Sequence, residues 1–170
     1  MPVTPVGGLQ AEIDALLERF RVGAEKAAAV AAGVSNAEAD FVPAPGAWSI
    51  RHIACHLADS ELVGAHRFRL VIAEAEPLLT AFDQNAWSAR LNYGERKLAE
   101  ALDSFRALRA MNCELLHDLP VETFARTGRH TERGLVTLHE LLRIYTEHGE
   151  NHARQIQTVR EKYREFRKSA

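Results

Sequence analysis

Four long stretches of the chain place apolar residues three and four positions apart, which is the pattern of one buried face of an α-helix. They span about residues 9–33, 49–75, 95–118 and 137–165, and Pro or Gly residues lie between them. Runs of Val, Ile, Thr and Tyr, which are typical of strands, are nearly absent. The pattern predicts an all-α four-helix bundle, formed as a single domain over 1–170 with its core at about 9–165.

Polar residues at the helix ends support these boundaries. Ser49 is suited to cap a helix N-terminus, because its hydroxyl can accept a hydrogen bond from a free backbone N–H group. Thr137 and Glu140 have the spacing of a capping box at the start of the last helix. Gly33 is suited to end the first helix, and we expect the basic tail from Phe166 onward to fray.

The two longest connections, about 76–94 and 119–136, are unusual for a small bundle. Connections of this length often cover a functional site, although they can also simply carry the chain across the bundle. Residues 83–88 of the first connection are expected to form a short helical turn.

Composition and charge narrow the classes of function. The 170 residues are 46% apolar and 26% charged, which excludes disorder of the whole chain. The net charge of −2 excludes the basic surface typical of nucleic-acid-binding proteins, and no apolar run is long enough to predict a membrane span. Two cysteines cannot form a disulfide framework, and the N-terminus does not resemble a signal peptide. We therefore expect a reduced, cytoplasmic protein.

The positions of the eight histidines are the most informative chemical feature. His148 and His152 lie one turn apart, and the helical advance of about 100° per residue places both in the apolar stripe of the last helix. His52 and His56 have the same spacing on the second helix, but only His56 lies close enough to the stripe to reach the interior. His130, in the second long connection, could approach the same site, although nothing in the sequence places it there.

Two interpretations of this pattern remain open on spacing alone. His56, His148 and His152 could hold a divalent metal ion, with zinc or nickel favoured by three imidazole ligands and one position left open. Alternatively, the two histidines of the last helix could be hydrogen-bonded residues of a metal-free core.

Four further side chains are candidates for the surroundings of such a site. Gln155 lies one turn after the last histidine of the pair, on the inner face of the helix. Asp59 and Glu61 follow the second helix's histidines and could support the site, although solvated helix positions are the simpler interpretation. Trp87 could stack on a substrate, but packing over the end of the bundle is the simpler role.

Three segments of the sequence resemble the DinB-like superfamily, in its branch of YfiT-type metal-dependent hydrolases. The first is the Trp-Ser helix start followed by His-Leu-Ala-Asp-Ser-Glu at 48–61, and the second is the His-x-x-x-His-x-x-Gln-Ile run at 148–156. The third is the inter-helix segment at 77–87, with its Asp, Gln and Trp. The resemblance covers about residues 10–162.

This resemblance implies an up-down-down-up four-helix bundle that binds a divalent ion through the residues matching His56, His148 and His152. It further implies a small-molecule substrate, a homodimer, and an enzyme whose metal activates either water, as a hydrolase, or a low-molecular-weight thiol cosubstrate, as a transferase. A non-catalytic, stress-associated metal-binding bundle is the alternative function.

Overall fold

The computed structural model describes residues 6–169 of the protein. It consists of four long helices, shorter helical segments and a small sheet. The helices are α1 (Val6–Ala31), α2 (Asn36–Ala39), α3 (Ile50–Ala73), α4 (Gln84–Arg90), α5 (Leu98–His117) and α6 (Leu138–Ser169), and the strands are β1 (Leu78–Leu79), β2 (Thr127–His130) and β3 (Gly134–Thr137). Helices α1, α3, α5 and α6 pack as the bundle, so the prediction of a four-helix bundle is confirmed.

The second and third bundle helices, α3 and α5, run in the same direction. Near their N-termini, Arg51 donates a hydrogen bond to the carbonyl oxygen of Arg96 at 2.8 Å. About three turns further along each helix, Glu61 pairs with Arg109 at 2.7 Å. Parallel neighbours require a connection that returns along the bundle, which explains why the segment between them is so long.

The outer helices in sequence, α1 and α6, are also parallel to one another. Arg19 pairs with Glu150 at 2.8 Å, and further along both helices Arg160 donates a hydrogen bond to the carbonyl oxygen of Val30 at 2.7 Å. The end of α1 shares a hydrophobic cluster with the beginning of α3, so these two helices run in opposite directions. The order is therefore up-down-down-up.

The two long connections meet in a three-stranded sheet, which the sequence pattern did not predict. Strand β1 pairs in parallel with β2, and β2 forms a hairpin with β3. Each strand has only two to four residues, and the paired residues Leu79 and His130 are far apart in the sequence. Periodicity is not detectable over so few residues. The predicted helical turn in the first connection is confirmed as α4, which Asp83 caps by accepting from Ala86 N–H at 2.9 Å.

The predicted helix ends are confirmed at three positions. Ser49 accepts a hydrogen bond from the backbone N–H of His52 at the start of α3. The capping box before α6 is formed in both directions, at 2.7 and 3.1 Å. Gly33 has a φ of +71° just after α1. The prediction that the C-terminal tail frays from Phe166 onward was wrong. Helix α6 continues to Ser169, and Phe166 packs on Phe41 with ring centroids 5.4 Å apart.

None of the helices that the structure describes is both long and apolar enough to cross a membrane. Residues 1–5, which contribute to the expectation that no signal peptide is present, lie outside the described residues. The boundaries of a single domain over 1–170 likewise stay a prediction.

Candidate metal centre

Three histidines from two helices meet inside the bundle. The Nε2 atom of His148 lies 2.9 Å from Nε2 of His56 and 3.1 Å from Nε2 of His152. One candidate ligand atom from each residue lies within 4.8 Å of the other two. The structure thus brings together the three residues that the sequence predicted, and we refer to them as the three-His cluster.

Close contact between α3 and α6 places His56 beside the pair on α6. Gly64, two turns after His56, faces the ring of Tyr145, and a Cβ atom there would lie 2.7 Å from Tyr145 Cε1. The missing side chain therefore lets the two helices approach. His148 and His152 then reach the same point because residues four apart lie on one helix face.

Burial keeps the three imidazoles uncharged. Desolvation, with a smaller contribution from His152, lowers the pKa of His56 to about 3. Desolvation and the neighbouring His152, His56 and Arg109 lower the pKa of His148 to about 2. Burial also lowers the pKa of His152, against the opposing effect of the hydrogen bond that His152 donates to Gln155 Oε1. Near neutral pH, each ring therefore offers an unprotonated nitrogen, which is the form that binds metal.

The donor set fits a shared cation better than it fits hydrogen bonds alone. His152 Nδ1–H donates to Gln155 Oε1 at 2.7 Å, which leaves the lone pair of His152 Nε2 directed at the cluster. Nε2 of His148 has a single in-plane lone pair or proton, yet it contacts two other ring nitrogens. Ligands about 2.0–2.1 Å from a tetrahedral ion are separated by roughly 3.4 Å, so the nitrogens, at 2.9 and 3.1 Å, need to move apart by only a few tenths of an ångström to hold one.

Aromatic rings shield the cluster. The ring centroid of Trp48 lies 4.8 Å from that of His56 and 6.3 Å from that of His152, with the rings of Trp48 and His152 nearly parallel. The ring centroid of Phe82 lies 6.5 Å from that of His56, and Trp87 packs on Phe82 with ring centroids 4.5 Å apart. Sequence reasoning missed the contact of Trp48 with the cluster, because a Trp before a helix cap is usually a packing residue. Phe82 thus lies between Trp87 and the ring of His56.

The interpretation of Asp59 and Glu61 as solvated helix residues was wrong. Asp59 is buried, accepts a hydrogen bond from the Tyr93 hydroxyl at 2.7 Å, and pairs with Arg96 at 3.2 Å. Glu61 is buried in an ion pair with Arg109. Both carboxylates bind residues of other elements and form no hydrogen bond with the three-His cluster, so they join parts of the fold. Of the candidates for supporting the site, Gln155 is the one that contacts it.

The other two candidate histidines, His52 and His130, lie in different surroundings. His52 forms a hydrogen bond with Ser49 Oγ at 2.9 Å and lies outside the cluster, as predicted. His130 is buried beside a cavity of about 120 Å³ that adjoins the cluster at His148. Over the described part of the chain, no Cys, Asp or Glu joins the three histidines as a further ligand. The cavity-lining residues include Ser60, Arg67, Phe82, His130, Tyr145 and His148.

Several proteins of known sequence are similar to this chain. A protein of Oceanobacillus iheyensis named "Putative metal-dependent hydrolase" is 29% identical over 126 residues, which cover 74% of this chain and 73% of that protein. A Bacillus cereus protein with the same name is 26% identical over 117 residues, covering 69% of this chain and 67% of its own length.

The fold is shared with a solved structure and with a protein family. YfiT from Bacillus subtilis, described as "a probable metal-dependent hydrolase with an unusual four-helix bundle topology", superposes with a TM-score of 0.86 at 22% identity, over 96% of this chain and 93% of that one. The sequence model of the DinB superfamily matches residues 19–156. Since this match covers most of the chain, together with the bundle and all three clustered histidines, the protein belongs to the DinB superfamily.

Proposed function

We propose that this protein is a metal-dependent hydrolase of a small-molecule substrate, in which His56, His148 and His152 hold one divalent ion, zinc or nickel. The observation that supports it most directly is the convergence of three neutral Nε2 atoms beside a cavity. The names of the similar proteins point to the same class of reaction.

The residues around the cluster have separate roles in this proposal. A divalent ion with three imidazole ligands supplies Lewis acidity, lowering the pKa of water in its open position toward neutrality. Gln155 orients the ring of His152 through its Nδ1–H group. Trp48 and Phe82 restrict water on one side of the cluster, and the cavity beyond Ser60 admits the substrate.

Transfer of a thiol cosubstrate would use the same open position. Such a cosubstrate also needs room for its sugar or peptide portion, which could extend outward because the cavity is open to solvent on one side. Hydrolysis is the reaction that the names of the similar proteins support. A purely structural ion would favour a fourth protein ligand, and the described side chains supply no acidic or thiol group for that role. A homodimer and a cytoplasmic location stay predictions.

Elemental analysis of the purified protein tests the proposal directly. We expect about one divalent ion per chain in the wild type and a loss of most of it in His152→Ala. His117→Ala is the matched control, because the His117 side chain is 79% exposed and lies at the end of α5. Ester and amide hydrolysis should follow metal content across the three proteins. A wild type without metal, or hydrolysis that is unaffected when the metal is lost, would overturn the proposal.

A further inference from the structure

Arg67 is a buried cation without a carboxylate partner among the described residues. Its side chain lies in the interior, where Nη1 donates to the hydroxyl oxygen of Tyr145 at 3.0 Å and Nη2 donates to the carbonyl oxygen of Thr80 at 2.5 Å. Its Nε–H group has no hydrogen-bond partner within the described part of the chain. Both of its acceptors are neutral, so no described group balances the charge.

The other two buried arginines show that this arrangement is exceptional within the described chain. Arg51 pairs with Asp40 at 2.6 Å, and Arg109 pairs with Glu61 at 2.7 Å. A buried charge is costly unless an opposite charge accompanies it. An anionic ligand would provide Arg67 with the partner that the protein itself provides for Arg51 and Arg109.

Arg67 lines the cavity that adjoins the three-His cluster. Ser60, which contacts His56, and Arg67 are seven residues apart on α3, so the two ends of the cavity are separated by roughly 10 Å along the helix. Tyr145 also lines the cavity, and because its oxygen accepts from Arg67, its own O–H hydrogen is left to donate. The guanidinium and this hydroxyl together form a site for an oxygen anion.

The remaining charges of the cavity do not cancel this site. Arg133 and Glu132 both line it, are both exposed, and are opposite in sign. Burial and the two neighbouring arginines lower the pKa of His130, which keeps its ring neutral near pH 7. The cavity therefore retains the positive charge of Arg67.

We propose that this cavity binds a small anionic substrate whose carboxylate or phosphate group pairs with Arg67 and the Tyr145 hydroxyl, while its reacting bond lies at the three-His cluster. The placement of the reacting bond depends on the function proposed above, whereas the anion site does not. The cavity of about 120 Å³ is open to solvent on one side, so only the part of the substrate between Arg67 and the three-His cluster must fit within it.

Binding of simple anions tests the site without knowledge of the substrate. Acetate and inorganic phosphate are titrated at constant ionic strength, with acetamide as the neutral match for acetate, and binding is followed by calorimetry and by the shift in melting temperature. At least one anion should bind the wild type and should bind Arg67→Met about tenfold or more weakly, because a charge-assisted pair is lost. Arg69→Met, which removes an exposed charge two residues away, should bind like the wild type.

The same titrations in His152→Ala separate this proposal from the proposed function. An anion held by Arg67 should still bind that variant, whereas an anion held only by a metal ion should not. Anion binding that depends on Arg67, in a wild type that is purified without metal, would support the anion site while the absence of metal refutes the metal centre. The anion that binds more tightly identifies the substrate's charged group as a carboxylate or a phosphate.

Two results would overturn the anion site. One is the absence of binding of either anion to the wild type, and the other is equal binding by the wild type and Arg67→Met. If Arg67→Met does not fold, Tyr145→Phe replaces it, since that change deletes only the hydroxyl group. Unchanged anion binding by Tyr145→Phe would then refute the proposed site.

Discussion

Glu61→Gln should destabilise the bundle strongly, because it leaves a buried guanidinium without its counter-charge. The side chains of Glu61 and Arg109 are 1% and 2% exposed, and two hydrogen bonds of 3.0 and 2.7 Å join them. Glu61 also accepts from Asn112 Nδ2 at 2.8 Å. Arg109 further donates to the carbonyl oxygens of Phe20 and Tyr145, so this one side chain connects all four bundle helices.

The expected loss follows from the burial of both partners. Breaking a buried ion pair by removing one charge costs about 3–5 kcal/mol, and the glutamine oxygen that still accepts a hydrogen bond favours the lower end of that range. For a chain of this size, about 3 kcal/mol corresponds to a decrease of roughly 6–12 °C in melting temperature.

Urea unfolding followed by circular dichroism measures this loss. Glu18→Gln is the matched control, because the side chains of Glu18 and Arg21 are 60% and 59% exposed and their pair should contribute little to stability. The double variant Glu61→Leu/Arg109→Met should recover much of the stability lost in Glu61→Gln, since no unpaired charge then stays buried. Equal unfolding free energies for Glu61→Gln and Glu18→Gln would refute this reasoning.

Two further predictions concern the region of the three-His cluster. Gly64→Ala should cost about 1–3 kcal/mol in urea unfolding, because the added Cβ would lie 2.7 Å from Tyr145 Cε1 and must push α3 and α6 apart. An unchanged unfolding midpoint would show that the helices do not depend on this close contact. In metal-free protein, the unfolding free energy should decrease as the pH falls below about 6.5, since the histidines bind protons when unfolded but not in the folded cluster. With the pKa of His56 near 3 and that of His148 near 2, each contributes a loss of about 2 kcal/mol at pH 5. Thermal unfolding of chelator-treated protein from pH 7 to 5 measures this loss, which His148→Leu should reduce, and a flat profile for the wild type would contradict the prediction.

The candidate metal residues were predictable because the inward direction of each one depends only on its own helix. The angle between His148 and His152 follows from helical spacing alone, and so does the inward position of His56 compared with His52. The helix caps at Ser49 and Thr137 are local for the same reason, since each depends on residues within one turn. These features follow from short stretches of sequence, and the structure contains all of them.

The features that sequence reasoning missed depend on partners far along the chain. Glu61 resembles a solvated helix residue until α5 brings Arg109 against it, and the strand pairing of Leu79 with His130 joins the two long connections. Arg67 belongs to the same class, because an arginine in an amphipathic helix ordinarily has a solvated head. Its unbalanced charge becomes evident only when α6 and the first connection enclose it with neutral acceptors.

The presence or absence of a carboxylate partner therefore distinguishes the buried arginines that stabilise the bundle from the one that we assign to ligand binding. Arg51 and Arg109 each have a carboxylate within 3 Å and lie where helices must be joined. Arg67 has neutral partners among the described residues and lies on the cavity that adjoins the three-His cluster. A buried charge that stabilised the fold would be expected to have a counter-charge, as the other two have. The counter-charge that is missing at this one position is the one that an anionic ligand from solution would provide.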